Sequence, residues 1–254
     1  MVYNLILFFI LGTVLGSFYN VVGFRLPKDE SIIKPKYSYC PNCHNRLKWY
    51  ELIPVLSYLF QLGKCRHCHH KISAFYPTIE LLTGILFMVS FYSFGYSYQL
   101  IVSLALVSLF SIVIVSDVNY LIIPDEVTLT AAIVILISNF LSYGFIEGLK
   151  YVGWGILLFI IMYLFMLLGN FLFKKESLGG ADIKLMFVAG SALGPVLGFL
   201  VIFVSSVIAL PVSLVVYLID REHVIPFGPF IVAAMLILFL LKIDVGMLVS
   251  LFNI

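Results

Sequence analysis

Long apolar runs separated by short polar segments constrain the fold of this chain more than any other feature. The sequence is 62% hydrophobic and 11% charged, with a mean hydropathy of +1.12. A soluble domain of this length does not need so much apolar surface, whereas a run of about 20 apolar residues can cross a bilayer. The sequence therefore predicts an all-α, polytopic transmembrane helical bundle.

Eight membrane spans are predicted from the apolar runs. Gly194-Pro195 separates the sixth from the seventh, because proline disfavours a helix that continues through it. Seven spans are the alternative, with residues 183–219 forming one kinked helix. The eight predicted spans are residues 5–24, 76–94, 99–116, 127–143, 151–173, 183–193, 196–219 and 229–252.

Positive charge is concentrated in one loop, and this predicts the orientation of the chain. Residues 25–75 carry nine of the 15 Lys and Arg residues. Because Lys and Arg are retained on the cytoplasmic side, the loop is expected in the cytoplasm and the N-terminus outside. Asp117 and Asp182 then also fall on the cytoplasmic side, with either eight or seven spans.

All four cysteines lie in this loop, as two Cys-x2-Cys pairs separated by 21 residues. The spacing is typical of a zinc ribbon rather than of disulfides. A closed set of four thiolates leaves no ligand position for water, which predicts a structural zinc ion rather than a catalytic one. The predicted ligands are Cys40, Cys43, Cys65 and Cys68. Any of four neighbouring histidines could replace one of them: His44, His67, His69 and His70.

Two aspartates stand at predicted membrane boundaries. Asp117 follows the apolar run that ends at Ser116, and Asp182 lies in Gly179-Gly180-Ala181-Asp182-Ile183-Lys184. Carboxylates so close to hydrocarbon are costly, so they are candidates for a functional site. Two carboxylates on one face can share a proton and activate a water molecule.

The neighbouring carboxylates have alternative interpretations. Asp125 follows Pro124 and is expected to cap a helix that begins near Val127, and Asp182 could likewise cap a helix that begins at Ile183. Glu80 lies inside the second span, where a carboxylate needs a partner that the sequence does not identify.

Four motifs, in the same order along the chain, resemble the type IV prepilin peptidases, membrane aspartyl proteases of the GxGD class. These motifs are Gly16-Ser17-Phe18-Tyr19-Asn20-Val21-Val22 with Arg25-Leu26-Pro27, the cysteine pairs followed by residues 76–84, Asp117 with Ile123-Pro124-Asp125, and residues 179–184. The resemblance covers nearly the whole chain. Ala181 departs from the class pattern, because it stands at the position of the second glycine.

The resemblance implies that Asp117 and Asp182 are the catalytic pair and that Asp125 is not catalytic. It implies removal of a short basic leader from type IV prepilins or pseudopilins, after a glycine, at the cytoplasmic face of the bacterial plasma membrane. It also implies methylation of the new N-terminus with S-adenosylmethionine, in association with the cysteine loop. The chain has no glycine-rich cofactor loop, so the residues that bind this methyl donor are not identified.

The expected domains are a first transmembrane helix at 1–24, a zinc-binding loop at 25–75 and a protease bundle at 76–254. The expected partners are prepilins or pseudopilins and membrane lipid, with no nucleic acid. A polytopic transporter and a zinc-organised membrane scaffold without protease activity remain as alternatives, since both also use intramembrane carboxylates or metal-tied loops.

Overall fold

The polar loop and the apolar runs fold into two compact units, residues 1–95 and 96–254. The computed structural model describes residues 1–174, 179–219, 225–244, 246, 247 and 250. Within these residues the regular elements are helices, as predicted, and two isolated bridges join Tyr39 to Arg46 and Lys64 to Lys71. Residues 220–223, which the prediction of eight spans also places on the cytoplasmic side, lie outside the described residues.

The first unit contains two long helices and the polar loop between them. Its helices are α1 (Val2–Arg25), α2 (Leu56–Phe60) and α3 (Phe75–Phe94), with short 3-10 helices at Leu26–Lys28 and Trp49–Glu51. The helix α3 thus packs on α1 in this unit, although the sequence division placed it with the protease bundle.

Glycines bring α1 and α3 into close contact. A methyl group on Gly12 would lie 2.8 Å from the Gly84 Cα atom, and one on Gly16 would lie 2.9 Å from the Glu80 Cα atom. Helices in lipid associate through such tight packing, because lipid chains are as apolar as the side chains they contact. The side-chain amide of Asn20 adds a hydrogen bond of 3.2 Å to the Tyr76 carbonyl oxygen.

The second unit is built from five helices. They are α4 (Tyr98–Tyr120), α5 (Asp125–Tyr143), α6 (Phe145–Phe173), α7 (Gly180–Ile219) and α8 (Gly228–Leu240). The helix α4 packs against α5 and α8, while α7 packs against α5, α6 and α8. A buried hydrogen bond of 2.7 Å from the Asn139 side chain to the Ser191 carbonyl oxygen joins α5 to α7.

The predicted break between the sixth and seventh spans lies inside α7. Gly194 has φ 79° and ψ −177°, a conformation open essentially only to glycine, and Pro195 follows it. A methyl group on Gly198 would lie 3.2 Å from the backbone nitrogen of Gly190, although residues eight apart in a continuous helix are about 12 Å apart. Two helices therefore meet at Gly194, in agreement with the predicted boundary between the sixth and seventh spans.

Six helices in the described part of the chain are long and apolar enough to cross a membrane. This number counts α7 once, although its two helices correspond to the sixth and seventh predicted spans. The predicted span 229–252 is longer than the helix found there, because α8 has only 13 residues and ends at Leu240, just before the polar residues Lys242 and Asp244.

Candidate active site and metal centre

Asp117 lies in the last turn of α4, which continues to Tyr120. It is therefore inside the helix, not after the end of the predicted span 99–116. Its side chain is buried, with 6% of its surface exposed. Its Oδ2 atom accepts a hydrogen bond of 3.2 Å from the backbone N–H of Gly228, the first residue of α8. The first N–H groups of a helix have no partner within it, so a carboxylate at this point satisfies one of them.

Asp182 lies in the first turn of α7. The helix begins at Gly180, so Asp182 is not the N-cap that one interpretation placed before Ile183. Its carboxylate lies beside Gly179, where an added methyl group would be 3.3 Å from Asp182 Oδ2. Each aspartate is thus next to the N-terminus of a helix, which favours negative charge.

The second unit brings the two aspartates together, although 64 residues separate them in sequence. The charge of Asp117 acts on Asp182, so the two carboxylates lie within electrostatic range of each other. Asp117 is buried and Asp182 is half-buried, so one carboxylate is enclosed while its neighbour remains accessible. Two carboxylates in unequal surroundings can divide the roles of acid and base between them.

Ala181 fits the position where the family pattern has glycine. It lies in the first turn of α7, and it is absent from the residues with positive φ. An alanine adopts a helical conformation at no cost, so the local backbone does not require glycine here.

Asp125 does not cap a helix, and that prediction was wrong. The helix α5 begins at Asp125 itself, with Pro124 at the N-cap and no side-chain cap. The Asp125 carboxylate instead forms an exposed ion pair of 2.6 Å with Lys184 Nζ, which joins α5 to α7 two residues after Asp182. An apolar cleft of about 480 Å³ lies beside this ion pair, lined in part by Leu129, Ile156 and Phe159.

The four cysteines converge in the first unit. Their sulfur atoms all lie within 4.8 Å of one another, and Cys40 Sγ is 3.8 Å from Cys68 Sγ. Zinc–sulfur bonds of about 2.3 Å in a tetrahedron place the sulfurs about 3.8 Å apart. The geometry therefore fits a tetrahedral metal ion, and no histidine among the described residues belongs to the cluster.

The two cysteine pairs have the same backbone structure. In each, the first cysteine donates its N–H to the carbonyl five residues later, to Asn45 from Cys40 and to His70 from Cys65. In each, the residue after the second cysteine has positive φ and donates back to the first, at 2.9 Å. The repeated turn aims two thiols from each pair at one point.

The pKa values of two thiols in this cluster move in opposite directions: that of Cys43, which a backbone hydrogen bond at Asn45 lowers, is raised overall to about 11 by burial and the neighbouring thiols. The backbone N–H of His70 and then the Asn42 side chain, 3.6 Å from Cys68 Sγ, lower the pKa of Cys68 to about 6. The metal ligand is the thiolate, so a lowered pKa favours metal binding at neutral pH.

Glu80 has a partner that the sequence did not reveal. Its Oε2 atom accepts a hydrogen bond of 2.7 Å from the backbone N–H of Val55, and the Ser17 hydroxyl also donates to it. Val55 has φ 61°, which is strained for a β-branched residue. The buried carboxylate therefore ties a strained turn of the loop to α3.

Sequence reasoning missed Gly228 as a contact of Asp117. The only local signal was Gly228-Pro229 at the start of the last apolar run, since proline favours the first turn of a helix. Space is also limited there: a methyl group on Gly228 would lie 2.7 Å from Asp117 Oδ2 and 2.5 Å from Ile123 Cδ1.

Two protein-family models match the chain, one in each unit. The bacterial peptidase A24 N-terminal domain matches residues 10–94, and the type IV leader peptidase family matches residues 104–214. The first match includes the four cysteines and Glu80, and the second includes both aspartates.

Full-length relatives are similar along most of the chain. A prepilin leader peptidase/N-methyltransferase of Bacillus subtilis is 34% identical over 91% of this chain and 92% of its own length. Proteins of the same name from Neisseria gonorrhoeae (34% identical, 87% of this chain, 84% of its own length) and Vibrio cholerae (33%, 92% and 96%) are also similar. No solved structure matches the chain.

Proposed function

Because the chain belongs to the type IV prepilin leader peptidase family, we propose that Asp117 and Asp182 are the catalytic pair that removes the leader from prepilins or pseudopilins. The observation that carries this proposal is their convergence in the second unit, with one carboxylate buried against the Gly228 N–H and the other in the first turn of α7. The protein is a multi-pass membrane enzyme of this family.

The chemistry follows from placing two carboxylates within range of one another. Like charges repel at short distance, so the pair holds one proton between them. The ionised carboxylate takes a proton from a water molecule, while the protonated carboxylate donates a hydrogen bond to the scissile carbonyl oxygen. The Gly228 N–H fixes the orientation of Asp117, which keeps one member of the pair ready for the substrate.

The substrate has a basic leader, a glycine before the cut and an apolar helix after it. The apolar cleft beside Asp125 and Lys184 opens two residues from Asp182, at a position suited to the apolar segment. The leader stays in the cytoplasm because moving its charges through hydrocarbon is costly. Cleavage at the cytoplasmic face therefore requires no transfer of the leader across the membrane.

Methylation of the new N-terminus is the second activity that we assign to the chain, with S-adenosylmethionine as methyl donor. This molecule supplies an electrophilic methyl group when bound. The four cysteines would hold a zinc ion in a structural role, because their thiolates would fill all four tetrahedral positions and leave none for water. Its role is to fix a loop that contains few regular elements.

Carboxylate-to-amide substitutions test the catalytic pair. Asp117→Asn and Asp182→Asn should each lower leader removal by roughly 10²–10⁴-fold, the usual contribution of acid–base catalysis. The measurement is the mass of a co-expressed prepilin. Glu126→Gln is the matched control, because Glu126 is exposed on α5 and makes the same change of charge. Full processing by either aspartate variant would favour a scaffold or a transporter over the protease.

Cysteine labelling tests the orientation. In a cysteine-free background, single cysteines at Lys36, Asn119 and Lys174 should resist a membrane-impermeant thiol reagent in intact cells and react after permeabilisation. Lys174 follows α6 directly, whereas Glu176 in the same segment lies outside the described residues. Labelling of Asn119 but not Lys174 in intact cells would put the aspartates on opposite faces, and that result defeats a paired mechanism.

A further inference from the structure

The cysteine loop of the first unit exposes many apolar side chains in one short segment, residues 49–62. Trp49, Phe60 and Leu62 have 77%, 78% and 84% of their surface exposed. The other exposed apolar residues of the segment are Leu52, Ile53, Leu56 and Leu59. Single exposed apolar side chains are common on proteins, but so many within one segment mark an interaction site.

The short helix α2 in this segment has its apolar face on the outside. Leu56, Leu59 and Phe60 are all exposed, and their spacing places them on one face of the helix. Ser57 and Gln61 have the spacing of the other face, and they line an internal cavity of about 440 Å³ in the first unit. The polar face therefore points into the unit and the apolar face points away from it, which is the reverse of a helix on a water-exposed surface.

The hydrogen bond between Val55 and Glu80 fixes the level of this segment relative to the long helices. Glu80 lies in the second turn of α3, and its Oε2 atom accepts the Val55 N–H at 2.7 Å. The hydroxyl of Ser17 donates to the same carboxylate. Ser17 is eight residues before the end of α1 at Arg25, a distance of about 12 Å along the helix axis. The turn at Val55 therefore lies beside the apolar parts of α1 and α3 and not beyond their ends.

Positive charge borders the segment on both sides. Lys48 and Lys64 are exposed at its two ends, and the one acidic residue between them, Glu51, is buried. The Arg66 guanidinium carbon is 5.2 Å from the centroid of the Tyr50 ring, and Lys48 Nζ is 5.9 Å from the same centroid. Basic side chains next to apolar ones complement anionic headgroups, because their stems can lie on apolar surface while their charged ends reach the headgroups.

A tryptophan at one end, an outward apolar helix face and flanking lysines are the features of a segment that lies in the membrane interface. We propose that residues 49–62 insert their exposed apolar side chains into the leaflet in which α1 ends and α3 begins, with Lys48 and Lys64 at anionic headgroups. Lipid is the occupant because the position of the segment beside α1 and α3 supplies it without any further partner. The inference goes beyond leader removal and N-methylation and depends on neither.

The fluorescence of a single tryptophan measures the depth of the segment. The chain has two tryptophans, Trp49 and Trp154, so Trp154→Phe leaves Trp49 as the only one. The full-length, zinc-loaded variant is placed in nanodiscs whose lipids carry bromine near either the headgroup end or the methyl end of the acyl chain. We expect strong quenching by the first lipid, weaker quenching by the second and little quenching by acrylamide in the water. Quenching by acrylamide, with none by either brominated lipid, would overturn the proposal.

Two further single-tryptophan proteins, made in the Trp154→Phe background, locate the contact within the loop. Trp49→Phe combined with Phe60→Trp moves the probe to the outer face of α2, and the quenching pattern should stay the same. Trp49→Phe combined with Asn45→Trp moves it to an exposed position outside the segment, where acrylamide should quench and lipid should not. Equal quenching by lipid at positions 45 and 60 would overturn the assignment to residues 49–62.

Photochemical crosslinking tests the unaltered protein, so a folding defect in a variant does not decide the outcome. A lipid with a carbene precursor near the headgroup end of its acyl chain should label residues 49–62, and mass spectrometry of the peptides locates the label. An unlabelled segment whose tryptophan is also protected from acrylamide would mean that a protein covers the apolar face. A second copy of the chain or a prepilin would then be the occupant, and the proposal of lipid would be overturned.

Lipid charge tests the role of the flanking lysines. Replacing part of a neutral phosphatidylcholine bilayer by phosphatidylglycerol should increase the quenching of Trp49 by brominated lipid, and Lys48→Gln combined with Lys64→Gln should remove that increase. Lys34→Gln combined with Lys36→Gln is the matched control, because both lysines are exposed in the same loop but lie outside the segment. An equal loss in both pairs of substitutions would overturn the specific role of Lys48 and Lys64.

Discussion

The two units hold their carboxylates by different means. In the second unit, Asp117 and Asp182 lie on long helices and next to helix N-termini, so elements that form within lipid set their positions. In the first unit, Glu51 lies in a loop with short 3-10 turns and a five-residue helix, and Glu80 on α3 accepts a hydrogen bond from that loop. We expect that loop to depend on a metal ion at the cysteine cluster for its structure.

This difference predicts that the two proposed activities, leader removal and N-methylation, can be lost separately. A site on lipid-embedded helices survives the loss of a distant ligand, because backbone hydrogen bonds within the helices remain. A site on a metal-tied loop does not survive it, since metal binding and loop folding are one equilibrium. A substitution in one unit should therefore impair the activity of that unit and leave the activity of the other unit largely intact.

The largest effect is expected from removing metal ligands. Replacing Cys65 and Cys68 together by serine should abolish zinc binding and donor binding, while leader removal falls far less than in the aspartate variants. Metal analysis of purified protein measures the zinc, and prepilin mass measures cleavage. His67→Ala is the control, because His67 is exposed and outside the cluster. Undiminished zinc in the double variant would contradict the four-cysteine site.

Crowding Asp117 is expected to have the next largest effect. Gly228→Ala would place a methyl group 2.7 Å from Asp117 Oδ2, so the carboxylate or α8 must shift. Such overpacking costs about 1–3 kcal/mol, and we expect cleavage to fall roughly tenfold or more. Gly153→Ala is the matched control, since nothing lies within 4 Å of its added methyl group. Equal cleavage by the two variants would show that the Gly228 contact is not needed.

Releasing the loop from α3 should have a moderate effect confined to the first unit. Glu80→Ala leaves the N–H of the half-buried Val55 without its acceptor, a loss of about 1–3 kcal/mol in local stability. Hydrogen exchange of residues 50–60 should accelerate, whereas exchange in α4 and α7 should not change. Glu80→Gln retains a carbonyl acceptor and should protect the loop better than alanine does. Equal exchange in both variants would exclude the proposed tether.

The smallest effect is expected at Asp125. Its ion pair with Lys184 is exposed at both ends, and such pairs contribute about 0–1 kcal/mol. Asp125→Asn should therefore keep most of the leader-removal activity, which the same prepilin assay measures. Lys184→Met in combination with Asp125→Asn should add little further loss. Inactivation by Asp125→Asn alone would mean that this carboxylate takes part in the reaction.

Features encoded by neighbouring residues could be predicted from the sequence. The apolar runs predicted the helices, and Gly194-Pro195 predicted the interruption in α7. The spacing of the cysteines predicted that the four would cluster. The close approach at Gly12 and Gly16 also agrees with the packing role expected of small residues in spans.

Contacts between distant segments could not be predicted in this way. Gly228 donates a hydrogen bond to Asp117, which is 111 positions away in the sequence. Val55 donates one to Glu80 from a turn in which Val55 has positive φ, a conformation that valine disfavours. Asp125 is of a residue type that often caps helices, but its carboxylate forms an ion pair with Lys184, 59 positions away. The length of α8 was overestimated because hydropathy alone does not register the turn at Leu241 and Lys242.

The glycine contact between α1 and α3 has a consequence for handling the protein outside its native bilayer. The two backbones approach so closely at Gly12 and Gly84 that no acyl chain or detergent tail can enter between them. Detergents compete for side chains on the outer surface, yet they offer nothing that replaces this fit. The first unit should therefore keep its helix pairing across detergents of different chain length, so extraction conditions can be chosen for the second unit alone.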